Sequence, residues 1–83
     1  MNNWILYILR CKNGSLYTGI TTDLKRRIQQ HNDGTGAKYT RAHSPVKLLW
    51  SKDGFTESKA KKEEARIKKL SRHEKKAYII SNK

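Results

Sequence analysis

The sequence predicts an α+β domain, a three-stranded antiparallel sheet flanked by helices in the order ββαβαα. Three observations lead there. Two apolar runs, Trp4-Ile5-Leu6-Tyr7-Ile8-Leu9 and Leu16-Tyr17-Thr18-Gly19-Ile20, flank the turn signal Lys12-Asn13-Gly14. A third run, Val46-Lys47-Leu48-Leu49-Trp50-Ser51, opens directly after Pro45. The cap signals Thr21-Thr22-Asp23 and Ser71-Arg72-His73-Glu74 precede stripes at helical spacing. At 83 residues a single domain over 1–83 is expected, near the size where one core is only marginally stable.

The first run is bounded by polar residues and reads as a strand covered on both faces. Its hairpin has two possible registers. A two-residue Asn13-Gly14 loop would set Tyr17 opposite Arg10 and send Tyr7 and Tyr17 to opposite faces. A three-residue loop, with Gly14 left-handed, would set Leu9 opposite Tyr17 and bring both tyrosines to one face. A common site requires the second register.

A helix is predicted from about Leu24 to about Asn32, stopped by Asp33-Gly34. Leu24 and Ile28 form its apolar stripe, and at 100° per residue Arg27 and His31 fall beside it. Lys25, Arg26 and Gln29 face outward. Residues 34–45 read as a polar loop carrying Lys38, Tyr39, Arg41 and His43, and Asp53-Gly54 as a turn after the third strand. A long basic helix follows, from Glu57 or Ser58 to about Leu70, with Ala60, Ile67 and Leu70 inward. The last helix carries Ala77, Ile79 and Ile80.

Lys plus Arg number 19 against 7 acids, a net charge of +12. Such an excess repels itself and suits a polyanionic partner, with nucleic acid ahead of an anionic membrane surface. The basic helix lacks the broad apolar face of an interfacial helix, so no membrane association is expected. Cys11 is the only cysteine, which excludes an internal disulfide and a Cys-based metal site. The start, Met1-Asn2-Asn3-Trp4, has no positive n-region and its apolar run ends at Arg10, so neither a signal peptide nor a membrane span is expected. The expected location is the cytoplasm.

Taken singly, the chemical residues are ordinary. Tyr7 and Tyr17 suit strand aromatics, and His31 a satisfied half-buried histidine. Arg27 on an inward edge needs an anion, either Glu64 or a phosphate. Glu63 and Glu64 both border the inward face of the long helix, and periodicity puts Glu63 nearer its centre. A surface pair of Glu64 with Lys68 is the ordinary alternative to a metal-binding role. No His, Asp or Glu pair has metal-ligand spacing, and no glycine loop fits a phosphate cradle.

In combination the chain resembles the GIY-YIG nuclease family. Ile5-Leu6-Tyr7, ten residues before Tyr17-Thr18-Gly19, is similar to the two halves of the signature. Arg27 lies ten residues after Tyr17, and His31 completes the Arg-x-x-x-His spacing. Glu64, three residues before Ile67-Lys68-Lys69-Leu70, matches the family's metal-binding glutamate, which separates it from Glu63. The similarity covers the whole chain and is greatest to small stand-alone bacterial members, through Tyr17–Leu24, Gly36–Arg41 and Ile67–Arg72. Ile5 replaces the first glycine and Thr18 the second isoleucine, and neither change removes a functional group. Asn82, the only late asparagine, takes no role.

The resemblance implies a metal-dependent endonuclease acting on nucleic acid, DNA rather than RNA, in repair or processing. Glu64 would hold one Mg2+ or Mn2+ ion, and no small-molecule cofactor is implied. Arg27 would meet the phosphate and Tyr7 would act as base, assisted by Tyr17 and His31. Lys25, Arg26, Lys38, Arg41 and Lys68 would hold the backbone, and a protein partner could direct targeting. The alternative is a basic nucleic-acid-binding module on the same fold without catalysis.

Overall fold

The loop Lys12-Asn13-Gly14 decides which face the tyrosines occupy. The Cys11 N–H donates to the Ser15 carbonyl at 2.9 Å, and the Gly14 N–H donates to the Cys11 carbonyl at 2.9 Å. Gly14 has φ 85°, a left-handed conformation open to a residue without Cβ. This is the three-residue loop. Strand β1 (Trp4–Arg10) therefore pairs with β2 (Leu16–Thr21) so that Leu9 faces Tyr17 and Tyr7 faces Gly19. Tyr7 and Tyr17 share one face of the sheet. The computed structural model describes residues 2–82, and the side chains of Tyr39 and Arg41 lie outside that description.

Helix α1 (Leu24–Asp33) starts where the Asp23 side chain accepts from the Arg26 N–H at 3.2 Å. It ends at Gly34, whose φ of 81° lets its N–H reach the Gln30 and His31 carbonyls. The expected loop then contains a five-residue helix, α2 (Lys38–Ala42). Its N-cap, Ala37, has no capping side chain, so the sequence carries no start signal for it.

Strand β3 (Lys47–Phe55) pairs antiparallel with β1, giving the sheet order β2-β1-β3. It runs through Asp53-Gly54 instead of turning there. The register gains one residue on β3 between the Ile8–Trp50 and Leu9–Leu48 pairs, and another between Leu6–Lys52 and Trp4–Phe55. Gly54, with φ 86°, sits in the second bulge. A glycine with positive φ serves a bulge as well as a turn, so composition alone does not separate the two.

Helix α3 (Glu57–Lys68) is capped by Thr56, which accepts from the Lys59 N–H at 3.2 Å. Helix α4 (Arg72–Ser81) opens with the reciprocal box of Ser71 and Glu74. Both cover one face of the sheet, burying Leu6, Ile8, Leu16, Trp50, Ile67 and Ile79 together. Of the three apolar residues expected on the last helix, only Ile79 is buried. The opposite face buries Tyr7, Leu9, Cys11 and Val46 against Tyr17, Leu24 and Ile28. The central strand is thus covered on both sides, as its composition predicts.

Candidate active site

Tyr7 owes its position to a missing side chain. It lies across β2 at Gly19, where a Cβ would stand 2.6 Å from the tyrosine Cζ and closer still to its hydroxyl. The open strand lets the ring pass and brings its oxygen to 2.9 Å from Nε2 of His31. His31, fully buried on the inward side of α1, places its other nitrogen, Nδ1, 2.6 Å from the Thr40 Oγ1 of α2. Thr40 in turn donates to the Ala37 carbonyl at 2.9 Å. A continuous hydrogen-bonded chain therefore runs from the sheet through α1 to α2.

Tyr17 completes the aromatic wall. Its ring centre lies 5.2 Å from that of His31 in an edge-on arrangement and 6.5 Å from that of Tyr7. Lys68 of α3 sits 5.8 Å from the centre of the Tyr17 ring and 3.1 Å from Oε2 of Glu64. The ordinary pairing of Glu64 with Lys68 is therefore present. Glu63 turns to the other flank of α3, where it pairs with Arg66 at 3.4 Å and accepts from the Tyr78 hydroxyl at 3.4 Å. Glu64 alone faces the tyrosines, and its charge acts on Tyr7.

Arg27 is half-buried and donates to Oε1 of Gln30 at 3.1 Å, so its described partner is an amide and not Glu64. With Arg26 and Gln30 it lines a hollow of about 320 Å³ at the start of α1. A guanidinium held by a neutral amide keeps its charge available to an incoming anion. Lys25, Arg26 and Lys38 are exposed, as outward-facing residues should be. Arg41 belongs to α2, but its side chain lies outside the described residues.

Burial controls the protonation of the site. It pushes the Tyr7 phenol up to about 12, with the nearby Arg27 guanidinium opposing the rise and Tyr17 and Glu64 adding to it. Burial also lowers His31, helped by the Arg27 charge, to about 4. Both groups are neutral through the neutral pH range. Among the described residues no cluster of three or more His, Cys, Asp or Glu could cage a metal ion. No described helix is long and apolar enough to cross a membrane.

The structure thus brings Tyr7, Tyr17, Arg27, His31 and Glu64 to one side of the molecule. Sequence reasoning missed Thr40 and the role of Gly19. The glycine was findable, since a register that pairs it with Tyr7 leaves a gap of the right size. Thr40 was not, because nothing in its neighbourhood predicts a helix.

Comparison with known proteins identifies the family. The GIY-YIG catalytic domain family model matches residues 3–82. The chain is 50% identical over 78 residues to the UPF0213 protein SAG0778 of Streptococcus agalactiae, covering 94% of this chain and 89% of that protein. It is 44% identical to the UPF0213 protein YazA of Bacillus subtilis, covering 94% and 79% respectively. Among solved structures, that of the protein EF2693 from E. faecalis superposes with a TM-score of 0.66 at 43% identity, over 98% of this chain and 90% of that one. The UPF0213 protein BH0048 from Bacillus halodurans gives 0.59 at 46% identity, over 100% and 86%. With Tyr7 laid over Gly19 and both tyrosines against His31, sequence and fold meet on one conclusion: this chain belongs to the GIY-YIG catalytic domain family.

Proposed function

We propose that this chain is a metal-dependent endonuclease that hydrolyses phosphodiester bonds in nucleic acid, with DNA as substrate in repair or processing. The observation that carries the reading is the 2.9 Å contact between the Tyr7 hydroxyl and His31 Nε2 beside Arg27. It joins a proton path to a cation in a protein of net charge +12.

The phosphate docks with its non-bridging oxygens toward Arg27, where negative charge grows as water attacks. Tyr7 receives the proton of that water. With its phenol pushed up to about 12, Tyr7 does not start as phenolate. It passes its own proton to His31 as it accepts the new one, which avoids a free phenolate in a buried setting. Tyr17 packs edge-on to His31 and closes that side of the path to water. Lys25, Arg26, Lys38, Arg41 and Lys68 attract the nucleic-acid backbone, which gives affinity that falls steeply with salt.

The donor set suits a hydrated ion completed by substrate oxygens better than an all-protein cage. Glu64 is one carboxylate, and Mg2+ is commonly held by one or two carboxylates plus waters and phosphate oxygens. Lys68 holds Oε2 of Glu64 and competes with an ion for that carboxylate. When bound, such a divalent ion, Mg2+ or Mn2+, supplies Lewis-acid polarisation of a phosphate oxygen.

The test is cleavage of labelled single-stranded, duplex and branched DNA and of RNA, with Mg2+, Mn2+ or EDTA. Metal-dependent cutting is expected, with Tyr7→Phe, Arg27→Ala and Glu64→Ala each slower by at least about 100-fold. The Lys68–Glu64 pair, as it stands, is also what a binding module without catalysis would carry. Tight binding with no cutting under any metal, unchanged by Glu64→Ala, would replace the nuclease with that module or require a protein partner.

A further inference from the structure

We propose that Thr40 is a positioning residue: it holds His31 in the Nδ1-protonated form and so leaves Nε2 as the acceptor of the Tyr7 proton. The chemical use of this arrangement rests on the nuclease reading. The arrangement itself rests on hydrogen-bond direction.

A neutral imidazole carries one N–H, and the partner of each nitrogen decides where it sits. Thr40 has a single hydroxyl proton, and its Oγ1 lies 2.9 Å from the Ala37 carbonyl, which only accepts. With that proton committed, Oγ1 presents a lone pair to His31 at 2.6 Å, and Nδ1 must donate. Nε2 is then bare, and the 2.9 Å contact to Tyr7 runs from phenol to imidazole. The opposite tautomer would strip the Ala37 carbonyl of this donor.

The surroundings hold the ring still. His31 and Thr40 are both fully buried, which keeps bulk water from rearranging the chain. Gly36 approaches so closely that a Cβ there would stand 2.6 Å from Nδ1. The segment from Gly36 to Thr40 therefore clamps the face of His31 that points away from the reaction. During hydrolysis the water proton goes to the Tyr7 oxygen and the Tyr7 proton to Nε2. The resulting imidazolium keeps its Nδ1–H on Thr40; once product departs the extra proton leaves through Tyr7 to solvent, while the leaving alkoxide oxygen takes its proton from solvent.

The experiment reads the His31 ring by 15N and 13C NMR at pH 7 in wild-type, Thr40→Val and Thr40→Ser proteins, beside their cleavage kinetics. Wild type and Thr40→Ser are expected to show the Nδ1–H form. Thr40→Val should lose that preference, and its kcat should fall about 10- to 100-fold with KM little changed, the usual cost of removing a residue that orients a reactive histidine. An Nε2–H ring in wild type, or an unchanged ring in folded Thr40→Val, would overturn the proposal. The wild-type ring signal decides even if Thr40→Val does not fold. It also needs no cleavage, so a wild-type protein that shows the Nδ1–H ring but cuts nothing would refute the nuclease reading and not this one.

Discussion

Beneath α3 and α4 the sheet buries Leu6, Ile8, Leu16, Trp50, Ile67 and Ile79, and its one orphan is the Thr18 hydroxyl, which has no partner among the described residues. Beneath α1 the same sheet buries Tyr7 and His31, each hydrogen-bonded, with Thr40 behind them. The apolar face gains its stability from area removed from water. The polar face gains little from its hydrogen bonds but would lose much if one were left open. The face beneath α1 also packs Leu9, Cys11 and Val46, so β1 feeds apolar burial to both sides and a hydrogen-bonded polar chain to one of them.

The sharpest probe of that contrast is Ile67→Ala. It empties a fully buried position on the apolar face and should cost about 2–5 kcal/mol, a large part of the stability of so small a domain. Urea unfolding would show it as a lower midpoint at similar slope, and a loss under about 1 kcal/mol would mean that this face is not the main store of stability.

Next is Gly19→Ala, on the polar face. Its Cβ would meet the Tyr7 ring, with an expected cost of about 1–3 kcal/mol and loss of the Tyr7–His31 contact. Tyr7→Phe would not relieve the clash, because Cζ itself lies 2.6 Å away, whereas Tyr7→Leu should. A double-mutant cycle without coupling between the two positions would rule out the steric account.

A smaller effect is expected from pH. His31 falls from its ordinary 6.5 to about 4 in the fold, so the unfolded chain binds a proton that the native protein refuses. Its contribution is complete above about pH 6.5 and is lost as pH falls toward about 4. Tyr7 acts at the other end: its phenol rises from 10.0 to about 12, so its contribution is lost as pH climbs through that interval. Melting temperature against pH should therefore drop less on the acid side in His31→Gln, and less on the alkaline side in Tyr7→Phe, than in wild type. Parallel curves would remove the polar face from the pH response.

The smallest effect has the opposite sign. Thr18→Val replaces an orphan hydroxyl by a methyl of similar size and should stabilise by about 1 kcal/mol, or roughly 4–8 °C in melting temperature. Destabilisation would reveal a hidden partner for Thr18.

Much of this contrast was legible before any coordinates. The loop Lys12-Asn13-Gly14 limited the hairpin to two registers, and only one allowed Tyr7 and Tyr17 to cooperate. Spacing on α1 placed Arg27 and His31 inward because helical period is rigid over two turns. What escaped was short or irregular. Helix α2 is too brief to show a period, and it is held by the burial of Thr40 against His31, a contact made nine residues apart in sequence. The bulges of β3 carry the same glycine signal as a turn. Period favoured Glu63 over Glu64 at the inward face of α3, because period cannot show that the two flanks meet different neighbours, Tyr78 on one side and Tyr7 and Tyr17 on the other.

The bulges in β3 also bear on how copies of this chain meet one another. β3 lies at an edge of the sheet, and Leu48 and Leu49 are each 43% exposed there. A regular edge strand bearing two open leucines would be a template for a strand from another molecule. Each extra residue in β3 throws the ladder out of phase, so an added strand would match only a few residues before its hydrogen bonds fell out of step. Exposed Lys47 and Lys52 set like charges along the same margin. The irregular pairing that complicates β3 thereby guards a very basic, thinly cored domain against fibrillar self-assembly.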